Sequence, residues 1–278
     1  MRCNTEEAAG PVVVTVRRER SVRLLRDVLP DMTYASVNGL RLYYEVHGSE
    51  RPLVLLHGGL LTIELNWGEL LAPLAAGRQV IAVELQEHGH TGAADRPMTI
   101  DALAGDVIGL LDQLGVAEAD LFGFSLGGLV SYAVAFAAPD RVGKLIVASA
   151  DPLRPPGRES APTSEDRMPT RADFLAMQAA YTATAPEPAL FEKSAAKTSA
   201  LVHEFPGWTR DQLRSLRTPA LLIFGDRDFS PLRDVLDTFE LLPDAQLAVL
   251  PDTTHMGVTQ QPDRLLSLIT PFLNSSGR

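Results

Sequence analysis

The feature that most constrains the fold of this chain is an alternation of two sequence patterns, which begins at Tyr34. Short apolar segments, several of them ending at glycine, alternate with longer segments of helical periodicity. A short, wholly apolar segment is typical of a strand covered on both faces, so the alternation predicts a mostly parallel sheet flanked by helices. Buried strands are predicted over residues 53–56, 80–83, 120–122, 145–148, 220–224 and 247–250.

An antiparallel edge is predicted to open the domain. Asn38 and Gly39 separate two short strand-like segments, 34–37 and 40–46, and Asn-Gly is a strong signal for a hairpin. These two segments and the six buried ones predict an eight-stranded sheet, and the fold class is therefore α/β. Helical spacing of apolar residues predicts a helix that ends at Gly115 and a closing helix that starts at Pro262.

The regular alternation stops after Ala150, where a proline-rich stretch extends to Pro169. Two helical stretches, 172–184 and 188–202, follow without a strand between them. We therefore interpret residues 151–208 as a helical cap above the C-terminal edge of the sheet. Residues 34–150 and 209–278 are predicted to form the core.

Residues 1–33 are predicted to form an N-terminal extension, because no regular pattern precedes Tyr34. Their apolar run, 11–16, precedes a cluster of arginines and is too short for a secretion signal. A disordered, solvated extension and a contact with an anionic surface are two interpretations of the arginines. A third is that translation begins at Met32.

The overall charge argues against polyanionic partners. The chain has 25 Lys and Arg against 35 Asp and Glu, a formal charge of -10 that disfavours nucleic acid or an anionic membrane as the main partner. Its single cysteine, Cys3, permits neither an internal disulfide nor a cysteine metal cluster. We expect a cytoplasmic protein, a monomer or homodimer, that acts on a small molecule without a cofactor or metal.

The strongest local signal is the pentapeptide Gly-Phe-Ser-Leu-Gly centred on Ser125, which directly follows a predicted strand and precedes a helical run. A serine on a tight strand-to-helix turn needs small neighbours, and Gly123 and Gly127 supply them. The turn also places the serine near free N–H groups at a helix N-terminus. Ser125 is therefore the predicted nucleophile.

A serine nucleophile needs a base and an acid that orients the base. His255 lies in the loop that leaves an apolar strand before the final helix, which makes it the predicted base. Asp226 and Asp228 both leave the preceding strand at the same edge of the sheet and compete for the acid role. A loop that turns back over the sheet favours the later residue, Asp228.

The run Leu-His-Gly-Gly-Leu at 56–60 is predicted to stabilise negative charge on the substrate. A glycine-rich loop after a strand exposes a backbone N–H, and Gly59 is the candidate donor, together with the N–H of Leu126. A plain turn is the alternative interpretation. His57 is predicted to orient this loop rather than to act as a second base.

Residues 34–273 resemble the capped α/β-hydrolase family of esterases, lactonases, cofactor-free haloperoxidases and carbon–carbon bond hydrolases. The resemblance implies the oxyanion role for the loop at His57, the nucleophile role for Ser125 and the base role for His255. It also supports Asp228, since the family's acid usually lies three residues after a glycine, here Gly225. One departure is Glu87, where the family commonly has glycine.

The predicted reaction is hydrolysis of an ester or lactone through an acyl-enzyme. Serine at position 125 disfavours the dehalogenase and epoxide-hydrolase chemistry of related enzymes, which use aspartate there. Met256 follows the base, at a position where carbon–carbon bond hydrolases tend to have tryptophan. Carbon–carbon bond hydrolysis is therefore a less favoured alternative, which stays open. A haloperoxidase side activity, and a ligand-binding receptor or regulatory protein on a hydrolase scaffold, are the remaining alternatives.

Overall fold

A computed structural model describes residues 31–153 and 167–275, and eight of its strands form one sheet in the order β1-β2-β4-β3-β5-β6-β7-β8. β2 pairs antiparallel with β1 and β4, and every other pairing in the sheet is parallel. The strands are β1 (Asp31–Val37), β2 (Leu40–His47), β3 (Pro52–Leu56), β4 (Gln79–Val83), β5 (Ala119–Phe124), β6 (Val142–Ala148), β7 (Ala220–Arg227) and β8 (Ala245–Thr254). The predicted eight-stranded, mostly parallel α/β sheet is therefore confirmed.

The described α-helices connect the parallel strands or follow the last one. They are α1 (Ile63–Ala75), α2 (Ile100–Gln113), α3 (Leu126–Ala137), α4 (Arg171–Thr184), α5 (Phe191–Glu204), α6 (Arg210–Ser215), α7 (Leu232–Leu241) and α8 (Pro262–Asn274). Threonine side chains at positions 62, 99, 170 and 209 accept backbone N–H groups at the starts of α1, α2, α4 and α6. Within the described ranges, no helix has the length and apolar character needed to cross a bilayer.

The core lies on both faces of the sheet, as the apolar strands require. In β3 the side chains of Leu53 and Leu55 pack into one hydrophobic cluster, and those of Val54 and Leu56 pack into the other. Side chains alternate between the faces of a strand, so a wholly apolar strand contributes to two cores. This burial fixes the strand ends, which hold the candidate site.

Several element bounds differ from the predicted ones. β1 begins at Asp31, three residues inside the predicted extension, because residues 31–33 pair with β2. β7 and β8 continue to Arg227 and Thr254, beyond the apolar residues that predicted them, because strand pairing also orders polar residues. The rest of the predicted extension, 1–30, and the segment 154–166 lie outside the described residues. The boundaries of the predicted cap stay predictions.

A buried cation fastens the last helix to the sheet. Lys144 on β6 is 4% exposed, and its Nζ donates to the carbonyl oxygens of Phe272 and Leu273 at 2.7 and 3.0 Å. The guanidinium of Arg78 also donates to the Leu273 carbonyl, at 2.8 Å, and binds Asp120 on β5. The last carbonyl oxygens of a helix receive no N–H hydrogen bond from within the helix. These two cations therefore supply donors to carbonyl groups that would otherwise be buried without a partner.

Replacing this lysine tests its contribution. Lys144→Met keeps most of the buried aliphatic volume and removes the charged donor, so we expect the free energy of unfolding to fall by about 2–4 kcal/mol. Urea unfolding followed by circular dichroism measures the change. Lys193→Met removes an exposed lysine from α5 and should change stability by less than about 0.5 kcal/mol. Equal free energies of unfolding for the two variants would contradict the stabilising role given to Lys144.

Candidate active site

Ser125 lies on a strained turn between β5 and α3. Its backbone angles φ and ψ are 51° and -115°, a conformation that residues other than glycine rarely adopt. It directly precedes the first residue of α3. A Cβ on Gly123 would overlap the carbonyl oxygen of Gly127, and one on Gly127 would overlap the carbonyl oxygen of Leu56. Both flanking positions therefore require glycine, as the pentapeptide indicated.

Three of the predicted site residues lie in one hydrogen-bonded chain. The Oγ of Ser125 is 3.1 Å from the Nε2 of His255. The Nδ1 of the same ring is 3.1 and 3.3 Å from the two carboxylate oxygens of Asp228. An imidazole with a carboxylate on one nitrogen and a hydroxyl on the other is oriented to accept the hydroxyl proton.

The sheet brings the acid and the base together from adjacent strands. Asp228 follows the last residue of β7, and His255 follows the last residue of β8, so both lie at the C-terminal edge beside Ser125. The pairing of β7 with β8 shifts register after Gly225, and a Cβ at that glycine would overlap the carbonyl oxygen of Thr253. The close approach of the two strand ends therefore depends on glycine.

Of the two competing carboxylates, Asp228 is the one that contacts the base. It is fully buried, and its Oδ1 also accepts the N–H of Ser230 at 3.1 Å. Burial favours the neutral acid, but the facing His255 ring and these hydrogen bonds hold the pKa of Asp228 below its ordinary value. Asp226 instead accepts the N–H of Thr253 at 3.1 Å, which is a structural role within the strand pair.

The glycine-rich loop after β3 packs against the Ser125 turn. The N–H of Gly127 donates to the carbonyl oxygen of His57 at 3.1 Å, and the N–H of Gly58 donates to the side chain of Asn66 at 2.9 Å. Gly59, one predicted donor, is the next residue of this loop. Leu126, the other, is the first residue of α3, where an N–H has no acceptor within its own helix. Leu126 thus directly follows the nucleophile, and Gly59 lies two residues after His57, whose carbonyl oxygen contacts the Ser125 turn.

His57 holds the loop in the way predicted for it. Its Nδ1 donates to the carbonyl oxygen of Gly58 at 2.8 Å, and its Nε2 accepts the N–H of Leu85 at 3.1 Å, which defines a neutral ring. Burial, reinforced by the neighbouring His88 ring, lowers the pKa of His57 to about 3. Neither ring nitrogen is available to act as a base.

Two phenylalanines adjacent to site residues contact the base. The ring of Phe229 stacks on His255 with centroids 4.0 Å apart and an interplanar angle of 25°. The ring of Phe124 lies at 5.0 Å and 43° from the same imidazole. No local sequence pattern marks either phenylalanine for this contact, although each directly neighbours a predicted site residue in the chain. These contacts restrict the imidazole to the plane that serves both hydrogen bonds.

The segment between β6 and β7 contacts loops at the C-terminal edge of the sheet. Glu87, in the loop after β4, pairs with Lys197 of α5, and its other carboxylate oxygen accepts from Ser194 at 3.3 Å. Arg167 donates to the carbonyl oxygen of Asp228 at 3.0 Å. Helix α5 also borders a cavity of about 590 Å³, which it shares with residues 96–101, the end of a loop and the start of α2. Within the described ranges, no cluster of metal-ligating side chains is present.

Comparisons with known proteins agree with this architecture. The model of the alpha/beta hydrolase family matches residues 53–268. A candidate carbamate hydrolase of Azorhizobium caulinodans is 37% identical over 119 residues, which cover 42% of this chain and 43% of that protein. The dihydrolipoyllysine-residue acetyltransferase component of the acetoin cleaving system of Pseudomonas putida is 32% identical over 259 residues, 86% of this chain and 68% of that protein.

A solved structure extends the comparison. The 2-hydroxy-6-oxo-6-phenylhexa-2,4-dienoate hydrolase of a Rhodococcus species superposes with a TM-score of 0.72 at 20% identity, covering 89% of this chain and 99% of that one. At this identity the superposition shows a shared fold alone. Apart from the acetyltransferase component, the first curated relatives are each matched over less than half of their own length.

The buried histidines predict acid sensitivity. His57 and His88 are both neutral when buried because burial lowers the pKa of each, whereas the unfolded chain protonates them below pH about 6.5. The unfolded state then binds more protons, so the free energy of unfolding falls by about 1.4 kcal/mol per pH unit for each ring. For His57 this loss continues as pH falls toward about 3.

Urea unfolding between pH about 7 and about 5 measures this slope. His88→Phe removes one of the two rings and should reduce the slope by up to half of the histidine contribution, although it costs the bond from His88 to the Gln86 carbonyl oxygen at every pH. His203→Gln removes an exposed histidine and should leave the slope unchanged. A His88→Phe slope equal to that of the wild type would refute the account.

Proposed function

Since the chain belongs to the alpha/beta hydrolase family, we propose that it is a serine hydrolase that cleaves a carboxylic ester or a lactone through an acyl-enzyme on Ser125. The observation that carries the proposal is the hydrogen-bonded chain from Ser125 through His255 to Asp228. The acidic net charge supports a substrate that is a small molecule and not a polyanion, and the lone Cys3 supports a cytoplasmic location. The serine mechanism itself requires no cofactor.

The reaction begins with transfer of the Ser125 proton to Nε2 of His255. The serine oxygen attacks the carbonyl carbon, and the charge that develops on the carbonyl oxygen is stabilised by the N–H groups of Gly59 and Leu126. Asp228 is ionised, because its pKa lies below the ordinary value, and it stabilises the imidazolium. The imidazolium then protonates the leaving alcohol, and the acyl group remains on the serine.

Water then hydrolyses the acyl-enzyme, and the same side chains take part in this second half of the reaction. His255 takes a proton from the water, the hydroxide adds to the acyl carbon, and collapse of the second tetrahedral intermediate returns the proton to Ser125. In a lactone the leaving alcohol stays attached to the acyl group, so one hydroxy acid is released. The proposed chemistry uses only the protein and water.

Removing the nucleophile gives the first test. Ser125→Ala should lower kcat for p-nitrophenyl esters and small lactones by about 10⁵- to 10⁶-fold, because the hydroxyl is the attacking group. Wild-type protein should also be labelled by a fluorophosphonate at Ser125, whereas the variant should not. An unlabelled wild type that is inert across the panel and yet binds a small ligand would favour the receptor alternative.

A second test separates the two carboxylates. Asp228→Asn preserves shape but removes the charge that holds the imidazole tautomer, so kcat should fall by about 10⁴-fold. Asp226→Asn is the matched control: it lies two residues away, bonds to Thr253 and should retain activity within about 10-fold. Steady-state kinetics with one ester measures both variants. Equal losses in the two variants would assign the effect to the loop and not to the acid.

A further inference from the structure

A buried polar contact holds helix α5 against the loop that follows β4. Glu87 adopts a φ of 62°, a strained value for a residue with a side chain, and is 6% exposed. Its carboxylate binds Lys197 and Ser194, and the Ser194 hydroxyl is also 3.1 Å from the hydroxyl of Tyr181 on α4. The backbone strain is offset by these contacts, which fix the position of α5 relative to the loop.

The next turn of α5 lies over the candidate oxyanion loop. Thr198 follows Ser194 by four residues, so the two side chains share one face of the helix, and Thr198 is 4% exposed. A Cβ built on Gly59 would lie 2.8 Å from the Cγ2 of Thr198. The methyl group of Thr198 therefore lies against the residue that offers one candidate donor, and the hydroxyl is carried on the same Cβ atom.

The hydroxyl of Thr198 has no hydrogen-bond partner among the residues that the structure describes. Threonines in a helix commonly donate to the carbonyl oxygen four residues earlier, as Thr182 does to Gln178 and Thr184 does to Ala180. A buried hydroxyl without a partner costs free energy, which is regained when a ligand supplies an acceptor.

We infer, on the basis of the proposed function, that the Thr198 hydroxyl is a further catalytic group that donates a hydrogen bond to the carbonyl oxygen of the substrate at Gly59. The hydroxyl would be a third donor beside the N–H groups of Gly59 and Leu126, contributed by α5 and not by the core. The bond strengthens as the oxygen gains negative charge in the tetrahedral intermediate, so it acts on the transition state more than on bound substrate.

The experiment compares Thr198→Val, which keeps the shape and removes the hydroxyl, with Thr198→Ser, which keeps the hydroxyl. Thr182→Val is the control, since it removes an exposed hydroxyl of α4 that bonds within its own helix. Steady-state hydrolysis of one p-nitrophenyl ester gives kcat and KM for all three variants and for the wild type. Thermal unfolding confirms that each variant is folded.

The expected result is a fall in kcat of about 10- to 100-fold for Thr198→Val with KM changed by less than about 3-fold. Thr198→Ser and Thr182→Val should stay within about 3-fold of the wild type. Binding of an aryl boronic acid, which forms a tetrahedral adduct on Ser125, should weaken by the same factor as kcat in Thr198→Val.

Two outcomes would overturn the inference. One is a folded Thr198→Val with wild-type kcat, and the other is a loss confined to KM, which would mark a binding wall and not a donor to the oxyanion. Labelling of wild type and Thr198→Val by a fluorophosphonate keeps the two proposals apart. If both are labelled at Ser125 while kcat is unchanged, the serine hydrolase proposal stands and the role of Thr198 falls.

Discussion

The close approach of the Ser125 turn to the end of β3 is the constraint on which the rest of the site depends. The backbone of Gly127 packs against the carbonyl oxygen of Leu56 and donates to that of His57. This contact leaves no room for a side chain, holds Ser125 at a positive φ and places the glycine-rich loop beside the serine. One backbone contact thus sets both the nucleophile and the candidate oxyanion donors.

The parallel sheet explains why residues far apart in sequence meet at this turn. Every parallel strand presents its C-terminal end at the same edge, and loops from β3, β5, β7 and β8 each bring one part of the site there. β3, β5 and β7 are anchored by burial on both faces, whereas β8, predicted as a buried strand, is mostly half-buried or exposed and is held by its pairing with β7. Chemistry at the edge therefore depends on packing in the core.

The sequence was sufficient for those parts of the site that are encoded locally. Gly-Phe-Ser-Leu-Gly between a strand and a helix predicts the turn at Ser125, and the strand ends place Asp228 and His255 beside it. The contacts made by Thr198 could not be predicted from the sequence, because they depend on how α5 packs against residues more than a hundred positions earlier in the chain. Glu87 stands out in the sequence because the family commonly has glycine there, but its pairing with Lys197 of α5 follows from tertiary packing.

The position of β8 has a consequence for how activity is lost. Among the strands that the structure describes, β8 lies at the edge of the sheet and pairs only with β7, so the base directly follows a strand that has one neighbour. Local opening of an edge element costs less free energy than global unfolding. Molecules in which β8 has separated would retain most of their secondary structure while His255 is displaced from Ser125, and the free energy of this opening sets the fraction of molecules competent at any moment.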